Sequence, residues 1–459
     1  MATASGNLTA RLSDFITTSA PPAAARARAA AAFCDTAGVM LAGAVEPAAR
    51  MACGVLADRQ DGACHIIGTP LAAGAADAAF ANGVAAHALD YDDMCFVSMA
   101  HPSCALVPAA LAAGELAHAT GRAALDAYVV GFELECRLGL VMNPRHYHER
   151  GWHCTSSIGT VGAAAAAARV LQLDAAHAAH AIGIAASLAC GFKENLGTMV
   201  KPLHAGVAAR NGVLAALLAR QGFTASDQAI QGPQGYLAVM DSELPSQALA
   251  EQSADVGERW EILDTGVTVK LYPSCAATHP PLDALLGLVR QHRITADAIE
   301  SIDVEVDTMT PRLLIYPRPS TGLEAKFSMP FCMAAAAVFG YPGVDTFDAA
   351  HIGDARVQAL LPRVTMRIDK AFDAAANLSQ ARVTVALRGG RRVSEHADGA
   401  RGYPGRLTDD ELETKFLACA ARSLAADAAS DAWRAIRSIE GAADLQPVMR
   451  ALTRSAGRP

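Results

Sequence analysis

Apolar residues recur at intervals of three and four from residue 8 to about 225, in stretches at 23–42, 73–89, 104–119, 123–140, 157–171 and 206–221. That spacing predicts a succession of helices. Glycine and proline punctuate them at Gly43, Gly68-Thr69-Pro70, Gly121 and Gly222. The stretches are alanine-rich and apolar on most faces, which places them inside a multi-layered bundle. Pro21-Pro22 is expected to open a first, amphipathic helix.

The period changes after about residue 258. Residues 260–263 and 267–272 look like strands, and 302–308, 364–369 and 382–388 alternate apolar with polar. Gly389-Gly390, followed by residues 391–395, signals a hairpin. Helical spacing is interleaved at 280–292, 328–339 and 355–361. It returns at Thr408-Asp409-Asp410-Glu411, a capping box that opens a helix over 412–424. The expected fold is mainly α with a smaller α+β domain. A large all-helical domain is built from both chain ends, residues 1–262 and 406–459, and the α+β domain takes 263–405. A cleft between two domains is the default place for a ligand.

Composition narrows the function. The chain has 459 residues, 52% hydrophobic and only 18% charged, enough for two well-filled cores. A net charge of −8 without a basic run argues against nucleic acid as a partner. No apolar run reaches the roughly 18 residues of a membrane span, so no membrane partner is expected. Eleven scattered cysteines without a C-x-x-C pair fit a reducing cytoplasm. Of 38 basic side chains only six are lysine, at 193, 201, 270, 326, 370 and 415. In an arginine-rich chain a lysine draws notice, because it is a compact point charge that burial can turn into a proton carrier.

Chemistry-bearing residues gather in five places. His87 to Ser103 packs three carboxylates, two histidines and a tyrosine into seventeen residues between apolar runs. Asp92 or Asp93 would hold His101 in one tautomer, and Pro102-Ser103 would start the next helix. His153 follows Trp152 just before a helix expected near Ser157, whose backbone N–H groups suit an anion. His146 and His148 read as surface residues. Lys201 and His204 form a cationic pair near a helix start. Lys270 precedes a Pro273 break and Cys275, a thiol that nearby cations would activate or that packing would simply bury. His279 precedes two prolines and reads equally as a site residue or a cap. Tyr316 and Arg318 sit in a proline-rich loop, which reads equally as a rigid surface loop or as a place where Arg318 would fork onto a carboxylate. No Walker loop, dinucleotide-binding glycine motif, H-E-x-x-H or zinc-type cysteine pair is present. The set therefore points to acid–base chemistry without an organic cofactor and without a metal.

These residues resemble the MmgE/PrpD family. Asp-Tyr-Asp-Asp with His-Pro-Ser at 90–103, Gly-Trp-His-x-Thr at 151–155, Lys-Pro-Leu-His-x-Gly at 201–206, Lys-x-Tyr-Pro-Ser-Cys with His at 270–279, and Ala-Lys-Phe-Ser-Met-Pro-Phe at 325–331 run in family order. Members include 2-methylcitrate dehydratase, cis-aconitate decarboxylase and iminodisuccinate epimerase. The resemblance implies an α+β lid on the helical domain, a homodimer, no required cofactor and a site in the interdomain cleft. Carried over by position, the catalytic set is Asp93 with Asp92 beside it, His101, His153, Lys201, Lys270 and Tyr316. Ser103, Thr155, His204, His279 and Arg318 are the candidates for substrate binding. Where the decarboxylase pattern has histidine this chain has Cys275, and the run at 198–212 is closer to the epimerase.

The expected activity is proton abstraction next to a carboxylate in a small di- or tricarboxylate. Lys201, Lys270, His153 and Arg318 would stabilise the enolate, His101 would move the proton, and Tyr316 or Cys275 would serve the opposite face. A lyase of the 2-methylcitrate dehydratase type comes first, an epimerase of the iminodisuccinate type second and a cis-aconitate-type decarboxylase third. Two rivals are a metal-dependent hydrolase built on Asp92, Asp93, His101, His146 and His148, and a binding protein without catalysis.

Overall fold

In the computed structural model of the chain, residues 8–56, 58, 62–374 and 379–454 are described. The extreme ends of the predicted helical domain, 1–7 and 455–459, lie outside them. The chain divides into two compact units. The first takes the chain up to Ala88, Asp92–Thr268 and the chain from Thr408. The second takes Leu89–Tyr91 and Val269–Leu407.

The first unit is helical: α1 (Leu8–Thr18), α2 (Ala23–Gly43), α3 (Pro47–Val55), α4 (Ala75–His87), α5 (Ser103–Leu116), α6 (Gly121–Met142), the one-turn α7 (Arg145–His148) and α8 (Cys154–Ser157), α9 (Gly159–Val170), α10 (Ala175–Leu188) and α11 (Val200–Arg220). Small side chains let these helices approach closely. A Cβ on Gly83 of α4 would lie 2.8 Å from Gly206 Cα of α11, and one on Gly206 would lie 2.6 Å from Phe80 O. The two helices thus meet backbone to backbone. Thr408 and Glu411 cap each other's backbone N–H as the capping box requires, and open the helix Asp409–Ala420.

The second unit carries a four-stranded sheet in the order β4-β3-β5-β6, where β3 is Ile299–Val306, β4 Val364–Ile368, β5 Ala381–Leu387 and β6 Arg392–Ala397, after a small β1 (Cys64–His65) and β2 (Ala72–Ala73) pair in the helical unit. β3 pairs parallel with β4 and antiparallel with β5. Gly389 and Gly390, at φ 103° and 87°, turn β5 into β6, a backbone that glycine adopts freely. Apolar residues of β3 and β5 share one core with Leu282, Leu285 and Leu288 of the helix His279–His292 and with the helix Met329–Phe339.

Three expectations are corrected. Residues 260–263 do not form a strand: Glu261–Asp264 is one helical turn, and the Glu261 N–H is taken by the buried Glu133 carboxylate at 2.8 Å. Among the described residues, 267–272 bond to other backbone at Thr268 with Met94, through Val269 N–H to Gly402 O, and locally where Tyr272 O accepts from Ser274 N–H, so they do not belong to a sheet. The prolines do open a helix at Ala23, but α1 precedes it, and α2 is buried along most of its length rather than amphipathic.

Candidate active site

The helical unit gathers one buried polar cluster around the end of α4. His87 closes that helix with its ring fully buried. Its Nδ1 lies 2.8 Å from Asp92 Oδ2 and its Nε2 3.0 Å from Lys201 Nζ. Lys201 stands in the first turn of α11, inside the helix rather than before it. His204, one turn on, places Nδ1 3.0 Å from Nδ1 of His153, so one ring donates and the other accepts. The His153 ring stacks on His87 at 5.9 Å, and the His101 ring meets His87 edge to face at 4.6 Å. His153 N–H donates to Gly191 O. Gly191 has φ 98°, and a Cβ there would lie 2.8 Å from Ser156 Cβ and 3.2 Å from the His204 ring, so only glycine fits this crossing.

The three carboxylates of the segment 90–93 go to three different jobs. Asp92 is fully buried, and its Oδ2 takes both His87 and, at 3.4 Å, His101 Nδ1. Asp93 turns the other way. Its carboxylate accepts from the Ser103 hydroxyl and, at 3.2 Å, the Ser103 N–H, and Tyr128 OH lies 2.7 Å from the same hydroxyl. Only the backbone carbonyl of Asp93 reaches His101 Nδ1, at 2.9 Å. Asp90 belongs to the second unit, where its Oδ1 and carbonyl accept from Lys270 Nζ at 2.7 and 2.9 Å. Its φ of 52° is a left-handed turn that aspartate tolerates better than most residues.

The electrostatics follow from burial. Desolvation drives His87 down to about 3 against the pull of Asp92, so the ring is neutral at ordinary pH. Burial alone would raise the Asp92 carboxyl, but the facing His87 and His101 rings hold it well below the usual carboxylate range. Asp93, buried with only Ser103 to oppose desolvation, is pushed well above that range. Burial, and then Lys201, lowers His153 strongly and His204 to about 4. A carbonyl oxygen only accepts, so the contact with Asp93 O puts the His101 ring proton on Nδ1 and leaves Nε2 with the lone pair. The His101 side chain keeps 15% of its surface exposed, beside an Asp92 that keeps none.

The remaining candidates divide by unit. Thr155 Oγ1 accepts the His101 backbone N–H at 3.0 Å and so positions that residue. His146 is not a surface residue: it is fully buried, bonded at both ring nitrogens to Ser157 Oγ and Met240 O, and stacked on Trp152. That removes it from the metal set, since neither nitrogen is left to coordinate. His87 Nδ1, Asp92 Oδ2 and His101 Nδ1 are close enough to share a cation. Yet an ammonium already donates to the same His87 ring and a carbonyl holds the His101 proton, which fits proton bonding better than metal binding.

In the second unit Lys270 is fully buried on Asp90. Cys275 is half-buried, and its N–H donates to Lys326 O. Lys326 Nζ donates to the carbonyls of Leu89 and Pro273. His279 is buried, with Nε2 3.3 Å from Ser274 O and its ring against Tyr272. Tyr316 is half-buried and Arg318 exposed. Sequence reasoning placed His87, Asp90 and Lys326 within its motifs but gave none of them a role in the site. His87 lies at the end of an alanine helix, where a histidine reads as packing. Its one signal is the spacing of five to Asp92.

Linked imidazoles, a buried ammonium and a carboxylate, held on a helical scaffold, are the groups that acid–base chemistry uses. The comparisons with known proteins agree in kind. The MmgE/PrpD N-terminal domain matches residues 10–247 and the MmgE/PrpD C-terminal domain matches residues 272–440. The chain belongs to the MmgE/PrpD family. It is 27% identical to the cis-aconitate decarboxylase-like protein oryM of Aspergillus oryzae over 97% of each chain. It is 29% identical to human cis-aconitate decarboxylase over 80% of this chain and 77% of the relative. The Aspergillus terreus cis-aconitate decarboxylase is 26% identical over 85% and 84%.

Proposed function

We propose that this protein is a lyase acting on a small di- or tricarboxylate, with His101 moving the proton at the carbon next to a carboxylate. The fixed tautomer of His101 carries this reading: Nδ1–H is held by Asp93 O and Asp92, so Nε2 is the basic nitrogen. A proton next to a carboxylate is weakly acidic, and the Lys201 ammonium is the positive charge that lowers the cost of the enolate. The names of the relatives support a lyase whose substrate is a small carboxylic acid. The homodimer implied by the family resemblance and the cytoplasmic setting read from the scattered cysteines belong to the same proposal.

Within the class, loss of water of the 2-methylcitrate type comes first. His101 takes the proton, the C–H electron pair forms the double bond, and the hydroxyl leaves with a proton from a second donor such as Lys201. The relatives' names favour a second reading, loss of carbon dioxide from a cis-aconitate-type substrate. There the electron pair left on carbon is stabilised by Lys201 and takes a proton from Nε2 of His101 in its imidazolium form, which a proton from solvent then restores. Cys275, where the decarboxylase pattern has histidine, supports placing dehydration ahead of it. NMR of 2-methylcitrate and of cis-aconitate with the enzyme in D₂O tests the proposal. A new alkene with all carboxyls retained identifies dehydration, and loss of a carboxyl with deuterium gain identifies decarboxylation. Deuterium exchange of an imino- or hydroxydicarboxylate without net loss identifies epimerisation and contradicts the lyase reading.

A further inference from the structure

We infer that His87 is a positioning residue that ties the Lys201 ammonium to the Asp92 carboxylate and thereby sets how strongly Asp92 acts on His101. The inference rests on the acid–base reading of the site and goes beyond it, because the His87 side chain is fully buried and acts through its two neighbours.

An ammonium has only donors, so at 3.0 Å from Lys201 Nζ the His87 Nε2 must accept. The single proton of the neutral ring is then on Nδ1, which donates to Asp92 Oδ2 at 2.8 Å. That same oxygen faces His101 Nδ1 at 3.4 Å, while Asp92 Oδ1 has no hydrogen-bond partner among the described residues. One carboxylate oxygen therefore divides itself between two rings. The tautomer of His87 is imposed by the lysine, and with it the share of Asp92 that His101 receives. The helix crossing explains why the three groups meet: Gly83 of α4, one turn before His87, touches Gly206 of α11, five residues after Lys201.

The consequence is a pH effect. Without the His87 N–H, His101 has Asp92 to itself, and the carboxylate stabilises its imidazolium more strongly. A base that must be neutral to accept a proton then stays protonated to higher pH. Within the helical unit the groups that enter this balance are Asp92, Asp93 and His101 on the loop, Cys104 on α5, His153 before α8, and Lys201 and His204 on α11. Glutamine is the conservative replacement, because its amide accepts on one side and donates on the other, as the ring does.

The test compares wild type, His87→Leu and His87→Gln. The pH profile of kcat/KM on the accepted polycarboxylate gives the first readout. The acidic limb in His87→Leu should move up by at least about half a pH unit, a threefold change in His101 protonation, and His87→Gln should bring it back. The second readout needs no substrate. ¹⁵N NMR of histidine-labelled wild type should show His87 with a protonated Nδ1 and a bare Nε2, unchanged from pH 8 to 5. An unmoved limb in a folded His87→Leu enzyme, an uncorrected limb in His87→Gln, or a proton on His87 Nε2 would overturn the inference. A wild type that turns over no polycarboxylate counts against the acid–base reading, and the NMR readout still decides the tautomer.

Discussion

Four of the six lysines are buried: Lys201, Lys270, Lys326 and Lys415. Each is held by acceptors. Lys201 has His87, Lys270 has Asp90, Lys326 has two carbonyls, and Lys415 has Asp35 at 2.6 Å. In a chain where arginine fills most basic positions, lysine marks places where a compact ammonium fits and a planar fork does not. The scarcity of lysine was legible in the sequence; the partners were not. Asp90, Asp92 and Asp93 look alike in the sequence because adjacent residues in a loop give no clue to side-chain direction. Only the fold separates them into an ion pair, a histidine support and a buried acid. The Lys270–Asp90 pair makes the sharpest case. Asp90→Ala removes the carboxylate to which the buried ammonium donates and should destabilise the α+β unit by about 3–5 kcal/mol. Adding Lys270→Met to that variant should recover much of the loss. Urea unfolding of the single and double variants measures both, and equal stability of Asp90→Ala and wild type would contradict the pairing.

At the scale of elements, the helices of the helical unit follow the apolar spacing closely, because alanine and leucine at three-four intervals favour the helix and burial together. The hairpin at Gly389-Gly390 and the capping box at Thr408 were equally legible, since each is a local hydrogen-bond pattern. What failed was the stretch 260–272, where an apolar–polar alternation reflects burial of Trp260 and Ile262 beside helices and not strand pairing. The site depends on elements through the α4–α11 crossing. A methyl group at Gly206 would sit 2.5 Å from Val84 Cγ2 and 2.6 Å from Phe80 O, and backbone has to move to admit it. Gly206→Ala should cost about 1–3 kcal/mol by overpacking. It should also lower activity more than truncation of the half-buried Leu217 to alanine, far along the same helix, because it spreads His87 from Lys201. Thermal unfolding and kcat measured side by side check this. A Gly206→Ala enzyme with wild-type Tm and kcat would show that the close crossing is not needed.

For the whole molecule, the change of period near residue 258 announced a second unit, but the excursion of Leu89–Tyr91 into it had no sequence signal. Three residues are too few to show a period. They are claimed by Lys270, by Lys326 and by the Tyr91 hydroxyl on Leu271 O, contacts 180 or more residues away in the chain. The segment that opens with His87 thus leaves the helical unit at Leu89, rejoins it at Asp92, and there supplies the support for His101. In the proposed reaction His101 carries the proton. The most direct measurement is the rate of substrate conversion or deuterium incorporation, followed by NMR, for wild type and His101→Gln on the same polycarboxylate. The rate should fall roughly 10²–10⁴-fold in His101→Gln, with the Tm within a few degrees of wild type. A folded His101→Gln enzyme with full activity would contradict it.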